Sequence, residues 1–314
     1  MEARRKRPAP GIRQWAQGFR GKGQIYAMLL PNIIMFSLLS IYPIIWVLKY
    51  MFYQYDKIHD PIFIGLDNFV RAFTRDPAFW QSVFNTLVYV GGKLIITLPI
   101  SFLIAVILDK KFRGSRLVQS LVFMPTIMSA AVMSLIFYLI LNPYSGSLNQ
   151  ILQTLKIVKA PVNWLSYQNA MFSVIVVGAW GAIGNYMVYF LAGLQAVPGE
   201  IYESASLDGI NSWQKMWYIT LPMLSPVLKT VIMLALINSF QDMQSIMVLT
   251  EGGPNNATNV MFLYVYRMFF PISATTDSAS QFGYGAALSV ISSAIVGVIT
   301  LLYLRTTRKM DDIY

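Results

Sequence analysis

The chain has 314 residues, of which 56% are hydrophobic and only 12% are charged, and its formal net charge is +10 at pH 7. A soluble domain usually carries about a quarter charged residues, so this composition indicates an integral membrane protein. The absence of cysteine excludes disulfides and thiolate metal sites, and the single histidine, His59, argues against histidine-based metal or triad chemistry.

Six apolar segments along the chain are long enough to cross a bilayer as helices, since about twenty residues at a rise of 1.5 Å each span the hydrocarbon core. We therefore predict an all-α integral membrane protein with about six transmembrane helices within residues 25–304. The predicted spans are Tyr26–Leu48, Val83–Leu108, Leu117–Leu141, Met171–Leu194, Pro226–Leu249 and Phe282–Leu304.

The distribution of basic residues predicts the orientation of these spans. With the N-terminus inside, the inner segments hold fifteen Lys and Arg residues and the outer segments hold seven. The positive-inside rule then places the basic N-terminal tail 1–24, the C-terminal tail 305–314 and the loop 198–222 between spans four and five in the cytoplasm. A tail that fixes orientation explains the basic N-terminus, and no nucleic-acid partner is expected.

The segment 198–222, PGEIYESASLDGINSWQKMWYITLP, is the longest polar interruption in the second half of the chain. Pro198 ends one helix, and Glu200 begins a short one with negative charge near its positive end. The dipeptide Asp208-Gly209 predicts a turn, and a second short helix precedes Pro222. Two short helices joined by a glycine turn have the shape of a docking element.

This segment also carries a family resemblance. Glu203-Ser204-Ala205, Gly209 and Ile219-Thr220-Leu221-Pro222 follow the spacing of the EAA loop of importing ABC-transporter permeases, in which Glu-Ala-Ala is followed by Gly and then by Ile-x-Leu-Pro. The one departure is Ser204, where alanine is usual, and serine is also small. The resemblance implies that a cytosolic ATPase docks on Glu203, Ser204, Ala205, Asp208, Gly209, Ile219, Leu221 and Pro222.

Three further stretches resemble the carbohydrate-uptake branch of these permeases, and its maltose-type subunit in particular. They are the GLxNF-like Gly65-Leu66-Asp67-Asn68-Phe69, the pair Asn85-Thr86, and Leu249–Pro254 followed by Thr258, which is similar to an LTxGGP…T signature. The maltose-type subunit has extra N-terminal spans and a large extracytoplasmic insert that are absent from this sequence. The expected substrate therefore need not be maltose.

The resemblance implies a membrane permease subunit of a bacterial ATP-driven importer in the cytoplasmic (inner) membrane. The implied partners are a second, unlike permease subunit, two copies of a cytosolic ABC ATPase, an extracytoplasmic solute-binding protein, an oligosaccharide or related sugar, and the lipid bilayer. The chain contains no GxxxxGK[ST] phosphate loop, so ATP and Mg²⁺ would bind to the ATPase rather than to this chain. The chain itself is expected to be neither an enzyme nor a cofactor-binding protein.

Polar and aromatic residues near the middle of three spans are candidates for the substrate pathway, because a polar group that faces lipid is costly. Tryptophan can stack on the apolar face of a sugar ring, and amides and carboxylates can bind its hydroxyls. Hydrogen bonding between helices is the alternative role for each residue. The candidates are Trp180, Asn185, Tyr186 and Tyr189 in span four, Asn238, Ser239, Gln241 and Asp242 in span five, and Lys93 in span two.

Two questions stay open at this level. Lys93 either pairs with a carboxylate such as Asp242 or binds an acidic sugar, so neutral and acidic substrates are both compatible with the sequence. A stand-alone channel or secondary carrier is the alternative function, and it predicts internal repeats or an ion relay, of which only Lys93 and Asp242 give any sign. A membrane-embedded enzyme would need clustered His, Asp or Glu residues, which the sequence does not have.

Overall fold

The computed structural model describes residues 23–271 and 280–308, and within them the chain is mainly helical. Four helical runs are long and apolar enough to cross a membrane: Ile25–Phe52, Pro77–Asp109, Ala170–Ala196 and Phe282–Thr306. Two bent helix pairs raise the number of spans to six if each pair counts as one. The prediction of about six spans agrees with this range, whereas most of the predicted tails 1–24 and 305–314 lies outside the described residues.

The helices of the described residues are numbered in chain order. The first eight are α1 Gly23–Phe36, α2 Tyr42–Lys49, α3 Asp67–Thr74, α4 Pro77–Asp109, α5 Ser115–Ile127, α6 Ala130–Ile140, α7 Ser147–Thr154 and α8 Ala170–Ala196. The remaining seven are α9 Gly199–Leu207, α10 Ser212–Lys215, α11 Leu221–Met223, α12 Ser225–Gln241, α13 Gln244–Thr250, α14 Met261–Phe269 and α15 Phe282–Thr306. A π-helical turn, Ser37–Ile41, joins α1 to α2, the 3₁₀ turn Tyr50–Phe52 follows α2, and a second π-helical turn, Met216–Thr220, joins α10 to α11.

The third predicted span is not one continuous helix, which corrects the prediction for Leu117–Leu141. Helices α5 and α6 meet at an angle of 99°. Met128 and Ser129 have extended backbones, and the Ser129 hydroxyl accepts a hydrogen bond from the backbone N–H of Val132. Serine therefore acts as the N-cap of a new helix, a role in which it competes with helix continuation.

The fifth predicted span, Pro226–Leu249, is also interrupted. Helix α12 ends at Gln241, the backbone of Asp242 turns to a ψ of 85°, and α13 begins at Gln244. The Asp242 carboxylate is held by side chains of α4, and this interaction between helices takes precedence over helix propensity. At the other end, α12 is bent by 70° from the helical run Ser212–Met223.

A short hairpin departs from the all-α prediction. Strands β1 Tyr53–Gln54 and β2 Ile62–Phe63 pair antiparallel, with Tyr53 opposite Phe63. Gly283, in the first turn of α15, lies so close to this hairpin that an added Cβ would stand 2.0 Å from the Tyr53 carbonyl oxygen. The absence of a side chain thus allows the hairpin to contact the start of the last long helix.

Helix α8 is central to the core and packs closely against α4 and α5. The Ser101 hydroxyl of α4 donates a 2.9 Å hydrogen bond to the Ile183 carbonyl of α8. A Cβ added at Gly178 would lie 2.2 Å from the Tyr89 hydroxyl oxygen, and a Cβ added at Gly184 would lie 2.5 Å from the Val122 carbonyl oxygen. Small residues bring membrane helices into this kind of close contact.

Candidate functional site

The two interrupted spans meet at an open cavity of about 430 Å³. Met128 at the α5–α6 break and Met243 at the α12–α13 break both line it, and Lys93 of α4 and Gly181 of α8 form further parts of its wall. Irregular backbone at membrane depth is tolerated where it is buried in protein or borders a water-filled cavity. Broken helices that surround a polar cavity are typical of solute sites in transporters.

Asp242 is the polar centre of this cavity. Its Oδ2 accepts hydrogen bonds from the Tyr89 hydroxyl at 2.6 Å and from Lys93 Nζ at 2.5 Å, and its Oδ1 accepts one from the Ser245 hydroxyl at 2.8 Å. The side chains of Lys93 and Asp242 are only 8% and 14% exposed. One carboxylate therefore connects α4 to the break in the fifth span and to the Ser245 hydroxyl in the first turn of α13.

The structure brings together four of the nine residues predicted for the substrate pathway. Lys93, Asn238, Gln241 and Asp242 all line the cavity. Two others, Tyr186 and Tyr189, lie near each other and do not line it. Buried Tyr186 can accept a 3.5 Å hydrogen bond from Asn238 Nδ2, and half-exposed Tyr189 lies 6.4 Å from Tyr186 between ring centroids.

The remaining residues occupy other environments. Trp180 is 51% exposed on α8, and its ring centroid lies 6.4 Å from that of Phe137 in an edge-to-face arrangement. Ser239 of α12 is buried although its neighbour Asn238 is exposed, and Asn185 is half-buried. None of these three lines the cavity within the described part of the chain. Their contact with substrate stays a prediction.

The segment 198–222 folds as its local signals predict. Helix α9 covers Gly199–Leu207, Gly209 adopts a φ of +75°, and Asn211 caps α10 in a capping box with Gln214. In that box the Gln214 N–H donates to Asn211 Oδ1 at 2.8 Å, and the Asn211 N–H donates to Gln214 Oε1 at 3.0 Å. Glycine at the turn is required because an L side chain is strained at this φ.

One face of this segment forms a shallow pocket of about 400 Å³. Ser204, Ala205, Asp208 and Ile219 line it, whereas Glu203 is exposed and forms no hydrogen bond or ion pair within the described chain. Of the predicted docking residues, only Ala205 is buried. Leu221 and Pro222, the first two residues of α11, are half-buried.

The pair Asn85-Thr86 contacts the residues around the end of the Leu249–Pro254…Thr258 motif, which the sequence did not predict. Asn85 Nδ2 donates to the carbonyls of Asn256 at 2.8 Å and Asn259 at 3.1 Å, and Thr86 Oγ1 accepts from the Met261 N–H at 2.8 Å. These two side chains of α4 therefore fasten the loop after Gly253-Pro254 to the second span. Both motifs were visible in the sequence, but the contacts join residues more than 170 positions apart.

A second cluster of polar side chains lies at the N-terminal end of α4. Asp76 caps this helix by accepting from the Phe79 N–H at 3.0 Å, and it also accepts from the hydroxyls of Tyr264 at 2.8 Å and Tyr284 at 2.6 Å. Burial and the nearby carboxylate together raise the pKa of Tyr264. This cluster joins α4, α14 and α15, and its residue types gave no sign of it in the sequence.

Comparisons with known proteins agree with the family resemblance seen in the sequence. The family model described as "binding-protein-dependent transport system inner membrane component" matches residues 97–312. The arabinooligosaccharides transport system permease protein AraP of Bacillus subtilis is 32% identical over 288 residues, with 90% of this chain and 88% of that protein covered. The trehalose/maltose permease protein MalF of Thermococcus litoralis is 29% identical, with 91% and 94% covered.

The fold is also similar to that of a solved structure. A chain from a bacterial ABC transporter involved in the import of the acidic polysaccharide alginate superposes with a TM-score of 0.81, over 95% of this chain and 99% of that one. The sequence identity in this match is 24%, so the likeness concerns the fold.

Proposed function

Because the chain belongs to the family of binding-protein-dependent transport system inner membrane components, we propose that it is the permease subunit of an ATP-driven importer for an oligosaccharide or related sugar. It is a multi-pass membrane protein of a transport family rather than an enzyme. The observation that carries the proposal is the polar cavity between the two interrupted spans, which gives the chain a membrane-embedded place for a hydroxyl-rich solute.

In this proposal the chain supplies half of the translocation pathway. The cavity is open, and a second, unlike permease subunit completes its wall. Trp180 and Tyr189 are exposed on α8, and we assign them to the pathway that forms when this second subunit covers that helix. Asn185 is half-buried and Tyr186 and Ser239 are buried, and their place in the pathway stays a prediction. Aromatic rings at such a surface would stack on sugar rings, and the side-chain amides of Asn238 and Gln241 would bind the sugar hydroxyls.

The segment 198–222 is the proposed contact with the ATPase. Exposed Glu203 supplies a charge, the small residues Ser204 and Ala205 and the turn at Gly209 allow a close fit, and Ile219 lines the same pocket. Two cytosolic ATPase copies would bind ATP and Mg²⁺, one against each permease. Their closure would move this compact segment as a rigid lever and reorient the spans around the cavity.

The relatives support a sugar as the substrate. The relative from Bacillus subtilis is named for arabino-oligosaccharides, that from Thermococcus litoralis for trehalose and maltose, and LacF of Rhizobium radiobacter for lactose. A separate extracytoplasmic solute-binding protein would deliver this sugar, in keeping with the description of the family. The competing function, a stand-alone channel or secondary carrier, would use Lys93 and Asp242 as an ion relay and would need no ATPase.

Purification of the tagged chain from native membranes in a mild detergent tests the assembly. We expect two copies of an ATPase and one unlike permease to copurify in fixed ratio, as counted by mass spectrometry, and uptake into proteoliposomes to require ATP and the binding protein. A chain recovered alone or as a homo-oligomer that still carries solute would contradict the importer and favour the channel.

A further inference from the structure

The charge of the cavity lining bears on the class of sugar. Among the described residues that line the cavity, only Lys93 and Asp242 have ionisable side chains, of opposite charge type, and they bind each other at 2.5 Å. The formal charge of the lining is therefore zero. The nearest other polar groups are amides and hydroxyls.

The carboxylate in this pair is already well satisfied. Asp242 accepts hydrogen bonds from Tyr89, Lys93 and Ser245, which engage both of its oxygens. A sugar carboxylate that approached Lys93 would have to compete with Asp242 for the only cation of the cavity. If it displaced Asp242, it would leave a largely buried carboxylate without its counter-charge, which is strongly unfavourable. If it did not, two carboxylates would share one ammonium group.

The rest of the lining suits an uncharged, hydroxyl-rich solute. Asn238, Gln241 and Gln244 present amides that both donate and accept hydrogen bonds, as sugar hydroxyls do. All three are exposed within this chain, so their polar ends are accessible from the cavity. Met133 and Phe262 add apolar surface for the C–H faces of sugar rings. A site for uronates would instead need unpaired arginine or lysine.

We propose that this cavity accepts uncharged oligosaccharides and discriminates against uronate-containing ones, with the Lys93–Asp242 pair as the group that sets this preference. The inference rests on the proposed function, since it assigns the substrate class of the same cavity. It also separates this chain from its structural neighbour, whose described substrate, alginate, is an acidic polysaccharide.

The test uses the intact detergent-purified transporter without its binding protein, so that the membrane cavity alone selects. Isothermal titration compares maltotriose, arabinotriose and lactose with trigalacturonate. For the wild type we expect at least one neutral sugar to bind about tenfold or more tightly than trigalacturonate, a difference of about 1.4 kcal/mol. Equal or tighter binding of trigalacturonate would overturn the inference and leave the proposed sugar importer standing. Binding of none of these sugars would overturn the inference that the membrane cavity selects among sugars, and the copurification and uptake measurements described above would decide the proposed function separately.

Two variants separate a charge effect from a structural one. Asp242→Asn leaves Lys93 with a neutral partner, and we expect the relative affinity for trigalacturonate to rise about tenfold. Lys93→Gln leaves Asp242 without its cation, and we expect trigalacturonate binding to fall further. Asp109→Asn, a like change at the far end of α4, is the control and should alter neither ratio. Shifts in the same direction for both cavity variants would contradict the assigned role.

Discussion

The centre at Asp242 and the segment 198–222 are held in place in different ways. Asp242 is fixed by Tyr89 and Lys93, which lie 153 and 149 positions earlier in the chain, and its side chain is mostly buried. The segment is held by short-range contacts, such as that of Tyr202 with Thr220 at 3.3 Å and that of Lys215 Nζ with the Ser206 hydroxyl at 2.8 Å. The Asp242 centre thus depends on contacts between distant parts of the chain, whereas the segment 198–222 is held together by contacts within itself.

This difference predicts different consequences of substitution. Removal of a long-range buried partner leaves a charge or donor unsatisfied inside the protein, so stability falls. A change in a local, exposed unit leaves the packing of the spans intact, so the expected loss is in communication with a partner. Substitutions in the two regions should therefore divide into those that change unfolding and those that change coupling.

Asp242→Ala is expected to have the largest effect on stability. It removes the acceptor for three side chains and leaves the Lys93 ammonium buried without its carboxylate, at a cost on the order of 3 kcal/mol. Thermal unfolding of the purified chain followed by tryptophan fluorescence should show the loss. The double variant Lys93→Met/Asp242→Ala should recover part of it, because the uncompensated charge is then gone.

Asp109→Ala is the matched control for this substitution, since Asp109 forms no ion pair within the described chain. The thermal unfolding midpoint of the Asp109→Ala protein should equal that of the wild type. A double variant as unstable as Asp242→Ala alone would contradict the account, because it would show that the loss does not come from the unpaired lysine.

Thr86→Val tests the contact between α4 and the loop after Pro254, and a smaller loss is expected. The Met261 N–H loses its buried acceptor, which costs about 1–3 kcal/mol. Thr74→Val is the control, because the Thr74 hydroxyl is exposed and bonds only to the Val70 carbonyl of its own helix. A control that lowers the unfolding midpoint as much as Thr86→Val does would argue against a special role for this contact.

Gly209→Ala should change coupling more than stability. An alanine at a φ of +75° costs roughly 1–2 kcal/mol locally, and the turn would relax away from its present geometry. We expect ATP hydrolysis stimulated by the binding protein to drop severalfold in the reconstituted complex, with the unfolding midpoint nearly unchanged. Gly199→Ala is the control in the same segment, since an added Cβ meets nothing within 4 Å and no positive φ is involved. Unchanged stimulation in Gly209→Ala would show that the segment does not couple.

The same division explains what the sequence could predict. The number of spans follows from apolar length, and α9, the turn at Gly209 and the following helix follow from caps and turn residues within a few positions. The breaks at Ser129 and Asp242 were missed because an apolar window does not report a cap or a distant partner. For Asp242 the deciding groups are Tyr89 and Lys93, and no local pattern brings them near.

The candidate site was predictable in part for the same reason. Lys93, Asn238, Gln241 and Asp242 were selected as polar residues at mid-depth, and the fold brings them to one cavity. Trp180 satisfies the same criterion but lies on an exposed face of α8, because depth along a helix does not specify which side of the helix a residue occupies. Their roles in sugar binding stay predictions.

The exposed pair Asp56–His59 offers a measure of what burial adds to the Lys93–Asp242 pair, and its expected effect is the smallest. His59 Nδ1 lies 2.7 Å from Asp56 Oδ2, with the histidine side chain 81% exposed. This hydrogen bond raises the pKa of His59 above its usual 6.5, while hydrogen bonds from His59 and Ile58 lower the pKa of Asp56 below 3.8. The histidine contribution to stability is therefore complete below pH 6.5 and is lost as the pH rises through the raised pKa. The contribution of Asp56 to stability is present above pH 3.8 and is lost as the pH falls through the lowered pKa of Asp56.

Because His59 is the only histidine, its imidazole signal in an NMR titration needs no assignment. We expect its midpoint to lie above 6.5 and to return toward that value in Asp56→Asn, with no change in the unfolding midpoint at pH 7, since a surface pair contributes little. Identical titration midpoints in the two proteins would mean that the exposed pair does not form in solution. The exposed pair could then not serve as a reference for the buried Lys93–Asp242 pair. The stability lost in Asp242→Ala would have to be explained by its three hydrogen bonds and its buried charge alone.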